Sequence, residues 1–261
     1  QLRCALEGPA QAIFARSGIS FKAEGLHDAL RGARTLLSGT SGTSELEHDA
    51  RILARSLGIR SIAAIDHWVN YRERFVRGGT LVLPDEAWVG DEVAVAEAAR
   101  ALPGLPVFQK TNHYLERMLA EIRESPARPH ATRRVLYVLE PVRSAWGLAG
   151  TPGEFRALDF FMTRLPSLVG GSPYEVRMRP HPSDPPGKYD RWERSDGAGT
   201  ITVDASSSLP DAIAWADWVG GCETFAMVVA LKAGKRVITS LPPDAPACRL
   251  PFPDVQRLGT I

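Results

Sequence analysis

Cysteine is scarce in this 261-residue chain: there are three, Cys4, Cys222 and Cys248, odd in number and far apart. That excludes a disulfide framework, and without a Cys-x-x-Cys pair no structural zinc or other metal site is expected. The compartment reads as reducing and cytoplasmic. Long hydrophobic runs are missing as well. No stretch approaches the roughly 20 apolar residues of a membrane-spanning helix, and the opening residues do not read as a signal peptide. An excess of one charge sign is the third absence, since 31 Lys and Arg stand against 30 Asp and Glu, evenly in both halves. Such a chain has no gross electrostatic footprint for nucleic acid or an anionic membrane, although a small, focused anion site stays open. There is no tandem repeat and no low-complexity tract.

What is present is alternation. Apolar runs of four to six residues alternate with stretches of helical period. Strands are expected at 35–37, 61–65, 80–82, 87–89, 107–109, 135–139, 175–178, 201–204, 218–219 and 237–239. Helices are expected at 9–15, 27–31, 45–57, 91–101, 113–124, 153–165, 209–214 and 224–233. Short apolar strands between helices imply crossover units and parallel sheets covered on both faces. The run Ser125-Pro126-Ala127-Arg128-Pro129-His130 has two prolines and no periodicity. It divides the chain into domains over 1–125 and 133–261. The stretch 180–199 carries no element signal and reads as an exposed loop. The chain opens on Gln1 with a short strand-like run, so the first domain is expected to lack its N-terminal βα unit.

In parallel sheets, ligands gather where strand ends feed helix N-termini. Five strand ends carry suitable chemistry. Ser38-Gly39-Thr40-Ser41-Gly42-Thr43-Ser44 offers backbone N–H groups and hydroxyls, so Ser41, Gly42 and Thr43 are candidates for holding an anionic substrate group. Ser44 with Glu47 fits a capping box, and a plain tight turn is the alternative. Asp66-His67 ends a buried strand directly, as an acid/base pair would; the plainer alternative is a capping Asp beside a semi-buried His. Glu140 and Arg143 follow the first strand of the second half, and Arg143 could grip a phosphate bidentately. Arg179-Pro180-His181-Pro182 holds His181 between two prolines, which pre-aims it beside a cation. Finally, Gly220-Gly221-Cys222-Glu223-Thr224 runs into a helix. Its backbone suits a phosphate and its Glu223 suits a ribose diol. A first-turn Glu favouring the helix dipole is the alternative there.

These last segments resemble the C-terminal half of nucleotide-sugar enzymes of the GT-B fold, which include bacterial glycosyltransferases and UDP-N-acetylglucosamine 2-epimerases. Gly220 to Val237 is similar to their Gly-Gly-x-x-x-Glu-Ala … Gly-x-Pro-Val segment. Arg179-Pro180-His181-Pro182 is similar to the His-Pro motif of sialyl- and Kdo-type transferases. The resemblance implies two Rossmann-like parallel-sheet domains with an interdomain cleft. It implies a metal-independent glycosyltransferase of bacterial surface polysaccharide or glycoconjugate synthesis, with no cofactor besides its donor. Arg143, Arg179, His181, Gly221, Cys222, Glu223 and Thr224 would bind the nucleotide, and Ser41, Gly42, Thr43 and Glu140 the substrate. Asp66 and His67 would be catalytic. The donor would be a CMP- or UDP-linked sugar and the acceptor a carbohydrate or lipid-linked glycan. The setting would be cytoplasmic or peripheral at the inner membrane. A nucleotide-sugar epimerase or hydrolase, or a non-catalytic nucleotide-sugar-binding protein, are the alternatives on the same fold.

Overall fold

The computed structural model describes residues 2–41, 44–125, 130–141 and 145–260. Two compact units divide the chain, Gln1–Asn112 and His113–Ile261. Helix His113–Glu124, which the expected division at 125 assigns to the first domain, falls in the second of these units. The reason is its apolar stripe. Leu115, Met118 and Ile122 are buried at helical spacing, and the helix packs on Leu209–Trp215 and Phe225–Lys232. Tyr114 stacks on Phe225 with ring centroids 6.3 Å apart.

The first unit is built on a four-stranded parallel sheet. Its order is Thr35–Ser38, Arg60–Ile65, Glu86–Val89 and Val107–Gln109, the order of the chain. Helices Leu46–Ser56 and Glu92–Ala101 connect its strands. The expected strand at 80–82 is not part of this sheet. Thr80–Leu81 pairs antiparallel with Val76–Arg77 in a small hairpin. Gly78 and Gly79, both at positive φ, make its turn as few other residues could. Upstream, Arg3–Cys4 and Lys22–Ala23 pair in parallel around helix Pro9–Arg16, a short βαβ unit separate from the four-stranded sheet. The expectation that no first βα unit is visible is corrected to that extent.

The second unit carries a seven-stranded sheet. Five parallel strands form its body, in the order Gly199–Val203, Tyr174–Arg179, Arg133–Val138, Trp218–Gly221 and Arg236–Thr239. Arg194–Ser195 adds an antiparallel edge and Gln256–Arg257 a parallel one. Arg133–Val138 is buried over its last four residues because it lies mid-sheet under helices. Helix Gly153–Val169 lays Leu158, Phe161, Leu165 and Val169 on it. That helix outruns the expected end at 165. Pro166 falls in its last turn, and the stop is Gly170 in the left-handed conformation at φ 61°. The stretch 180–199 is more ordered than a free loop. Tyr189 within it is buried in the core, and its hydroxyl donates to Asp184 Oδ2 at 3.0 Å.

Candidate functional site

Strand order reverses beside Arg133–Val138. From this strand the chain moves out to Tyr174–Arg179 and Gly199–Val203, then returns across it to Trp218–Gly221 and Arg236–Thr239. The carboxyl ends of Arg133–Val138 and Trp218–Gly221 therefore flank the point where connections leave in opposite directions. Open α/β sheets hold ligands at such points.

Glu140 follows the first of these strands, and Cys222, Glu223 and Thr224 follow the second. The two ends meet, since the Glu223 N–H donates to Glu140 Oε1 at 2.8 Å. Arg249, from the chain beyond Arg236–Thr239, closes the cluster. Its backbone N–H donates to Glu223 Oε2 at 3.0 Å, and its Nε lies 3.1 and 3.3 Å from the two carboxylate oxygens. Its Nη2 adds a fourth bond. Thr224 is the N-cap of helix Phe225–Lys232, its Oγ1 accepting the Ala226 N–H at 3.4 Å. Gly221 is required by close approach. A Cβ there would lie 2.9 Å from both Val138 Cγ2 and Val138 O. Cys222 is buried, and its carbonyl accepts the Thr239 hydroxyl at 2.8 Å. Burial drives its thiol far above the usual range, so it is no nucleophile and serves as a small turn residue.

Glu140 is the electrostatically unusual group. Burial lifts its carboxyl from the ordinary 4.5 to about 7; the Glu223 N–H opposes the shift and the Glu223 carboxylate adds to it. A carboxyl that titrates near neutrality can give or take a proton at little cost.

Elsewhere the expected residues find mainly protein partners. Arg179 pairs with the buried Asp204 at 2.5 Å, which ties two strand ends together. His181 is exposed, with Nδ1 2.7 Å from Ser183 Oγ and its backbone N–H on Asp184 Oδ2 at 3.0 Å. The same Asp184, through Oδ1, holds Lys188 Nζ at 2.7 Å, and Glu154 holds it at 2.6 Å. In the first unit, Asp66 is exposed and lies 3.4 Å from Arg74 Nη1. The ring Nδ1 of His67 accepts the Trp68 N–H at 3.0 Å. The Ser41 N–H is taken by Glu47 Oε2 at 2.5 Å. This corrects the expected capping box. Ser44 Oγ instead accepts the Leu46 N–H and donates to Glu7 Oε2, while Glu47 reaches past it into the turn. A protein carboxylate thus sits where an anion was expected. Gly42, Thr43 and Arg143 lie outside the described residues.

Sequence reasoning missed Arg249 and Lys188. Arg249 follows the run Pro242-Pro243-Asp244-Ala245-Pro246-Ala247, which carries no element signal. The one available hint was an isolated cation in a stretch otherwise almost free of it. No group of His, Cys, Asp and Glu among the described residues could hold a metal ion, and no described helix is long and apolar enough to cross a membrane.

These sheets make the chain a mixed α/β protein with Rossmann-like parallel strand order in its second unit. No family model and no curated protein matches it. Among solved structures it is weakly similar to "Thermosulfurimonas dismutans KpsC, beta Kdo 2,7 transferase", with a TM-score of 0.37 and 14% identity over 85% of this chain and 83% of that one.

Proposed function

We propose that the chain is a GT-B-type, metal-independent glycosyltransferase that uses a nucleotide-activated sugar in bacterial surface polysaccharide or glycoconjugate synthesis. One observation carries this reading: Glu140 and Gly221–Thr224, two of the segments singled out by sequence, converge at the strand-order reversal of the second unit. The nucleotide, CMP- or UDP-linked, sits there. The Gly221–Cys222 backbone and the Thr224 hydroxyl face its phosphate, and Glu223 takes the ribose diol. In the free protein, Glu223 is held by Arg249. Binding exchanges that contact for the diol, and the released guanidinium turns to the leaving phosphate together with His181, Arg179 and Arg143. Protein cations then do the electrostatic work at the leaving group. Asp66, exposed at a strand end of the first unit, is the base toward a carbohydrate or lipid-linked glycan acceptor, and His67 assists it. The reaction belongs in the cytoplasm or at the inner face of the membrane.

The near-neutral carboxyl of Glu140 favours a second reading, in which the same site epimerises or hydrolyses the donor. Incubating UDP- and CMP-sugars without an acceptor separates the two, because efficient consumption of donor alone belongs to the second.

The test is a thermal-shift titration with CMP, CDP, UDP and GDP. A ligand at about 100 times its Kd stabilises by about 2.7 kcal/mol, a shift of several degrees. Glu223→Ala and Arg249→Ala should each reduce the shift severalfold, while Asp66→Asn keeps the shift and loses turnover. If none of the four nucleotides moves the native melting temperature, the reading is wrong.

A further inference from the structure

His181 is an exposed side chain, yet the loop that carries it is tied to buried charge. Its backbone N–H donates to Asp184 Oδ2 at 3.0 Å, and its carbonyl accepts the Asp184 N–H at 2.8 Å, so the two residues close a ring of bonds. The Asp184 side chain is only 1% exposed. Its Oδ2 also accepts the Tyr189 hydroxyl at 3.0 Å, and its Oδ1 accepts Lys188 Nζ at 2.7 Å. Lys188 in turn reaches Glu154 Oε1 at 2.6 Å, on another buried side chain. Burial pushes the Asp184 carboxyl up, but the bonds from Lys188, Tyr189 and the His181 N–H outweigh it and hold the group below the usual carboxylate range. Asp184 is therefore ionised at neutral pH and stays an acceptor. Buried carboxylates and an ammonium are costly unless their bonds are complete. Here that anchor fixes the place of one exposed imidazole.

The ring is oriented too. Nδ1 lies 2.7 Å from Ser183 Oγ and accepts the Ser183 N–H at 3.1 Å. A backbone N–H can only donate, so the nitrogen facing it keeps its lone pair. The imidazole proton is then on Nε2, and the Ser183 hydroxyl donates to the same lone pair. An imidazolium, or the other neutral tautomer, would set two N–H groups against each other. Nε2 lies across the ring from Ser183 and has no partner among the described residues.

The loop also starts in the right place. It leaves strand Tyr174–Arg179 beside strand Arg133–Val138, where the Leu139 N–H donates to the Arg179 carbonyl at 3.0 Å, one residue before Glu140. His181 thus belongs to the carboxyl edge that carries Glu140 and Glu223.

We propose that Ser183, on the loop anchored by Asp184, is a positioning residue that presents His181 to the nucleotide as a neutral donor, with Nε2–H bonded to a phosphate oxygen of the leaving group. The inference rests on the nucleotide reading and changes the part His181 plays in it. Arginines supply the charge at the phosphate, and His181 supplies a directed N–H that neither gains nor gives up a proton.

The test combines side-chain mimicry with nitrogen NMR on the full chain. A glutamine amide nitrogen can stand where Nε2 stands, and an asparagine amide nitrogen where Nδ1 stands. The probe is whichever of CMP, CDP, UDP and GDP shifts the native melting temperature most. By calorimetric titration, His181→Gln should bind it nearly as the native chain does. His181→Asn and His181→Ala should bind it about tenfold more weakly, the loss expected for a hydrogen bond to a charged group. Ser183→Ala should weaken binding about threefold, and Ser183→Thr, which keeps the hydroxyl, should restore it. In a chain labelled with nitrogen-15 histidine, the His181 signals are those missing from His181→Gln. Above neutral pH they should show Nε2 protonated and Nδ1 bare, and the nucleotide should move Nε2 while Nδ1 stays bare. Ser183→Ala should shift the Nδ1 signal of the free chain and Ser183→Thr should leave it in place. Both side chains are exposed, so these variants keep the fold.

The inference is overturned if Nδ1 carries the proton in the free chain, if both nitrogens carry one in the complex, or if His181→Gln binds as weakly as His181→Ala. It is equally overturned if Ser183→Ala and Ser183→Thr behave alike. A chain that binds none of the four nucleotides fails as a nucleotide binder and takes the phosphate contact with it. One that binds a nucleotide with Nδ1 protonated keeps the nucleotide reading and loses only the role given to Ser183 and His181.

Discussion

Glu140 shows how one residue can set a pH dependence. Its carboxyl titrates near 7 in the folded chain and near 4.5 when ordinarily solvated. Between those values the folded state binds a proton that the unfolded state has released. Stability therefore falls as pH rises from about 4.5 to 7 and stays low above that. Glu140→Gln keeps an acceptor for the Glu223 N–H but has no charge to desolvate. Urea denaturation at pH 5 and pH 8 should find this variant more stable than the native chain at pH 8, on the order of 1 kcal/mol for a half-buried group, and little changed at pH 5. Equal stability at pH 8 would mean that water reaches the carboxyl. Glu140 was visible in the sequence only as a polar residue after a strand. Its shifted titration comes from burial first and then from the Glu223 carboxylate, 83 positions away, while the Glu223 N–H opposes it; no local pattern contains that.

Caps and apolar stripes govern the elements. Helix Glu92–Ala101 is capped by Asp91, which accepts the Ala94 N–H at 2.8 Å. The same carboxylate accepts the buried Trp68 Nε1 at 2.9 and 3.1 Å. Asp91→Ala removes a cap and orphans an indole N–H at once, so it should cost the first unit about 2–3 kcal/mol by chemical denaturation, more than the roughly 1 kcal/mol of a cap alone. A loss of 1 kcal/mol or less would show that the indole finds another acceptor. The strands of both main sheets were legible because a covered parallel strand is a continuous apolar run, and the helices because their buried faces recur every three or four residues. The hairpin Val76–Arg77 with Thr80–Leu81 was misread because a short apolar run looks alike in a hairpin and in a central strand. The edge strands Arg194–Ser195 and Gln256–Arg257 are two residues long and carry no period at all.

At the scale of the whole molecule, the division at Asn112–His113 makes a prediction about pieces. A fragment over 113–261 should be soluble and melt cooperatively. A fragment over 133–261 exposes the faces of Leu209–Trp215 and Phe225–Lys232 that His113–Glu124 covers, and should melt at least 5 °C lower or aggregate. Equal melting temperatures would restore the boundary suggested by the prolines. The two divisions differ because proline marks where a helix stops, whereas the side a helix joins depends on which surface its stripe buries. The sequence by itself determined the α/β class, the succession of strands and helices, and the strand ends rich in polar chemistry, because these follow from short apolar runs, from the 3.6-residue helical period and from short-range turn chemistry. Only the tertiary structure decided the strand order, the meeting of Glu140 with Glu223 and Arg249, the approach of Glu47 to the Ser41 N–H, and the stacking of Arg191 on Trp192 and Phe155. Each of these joins side chains whose proximity is set by packing between elements rather than by spacing along the chain.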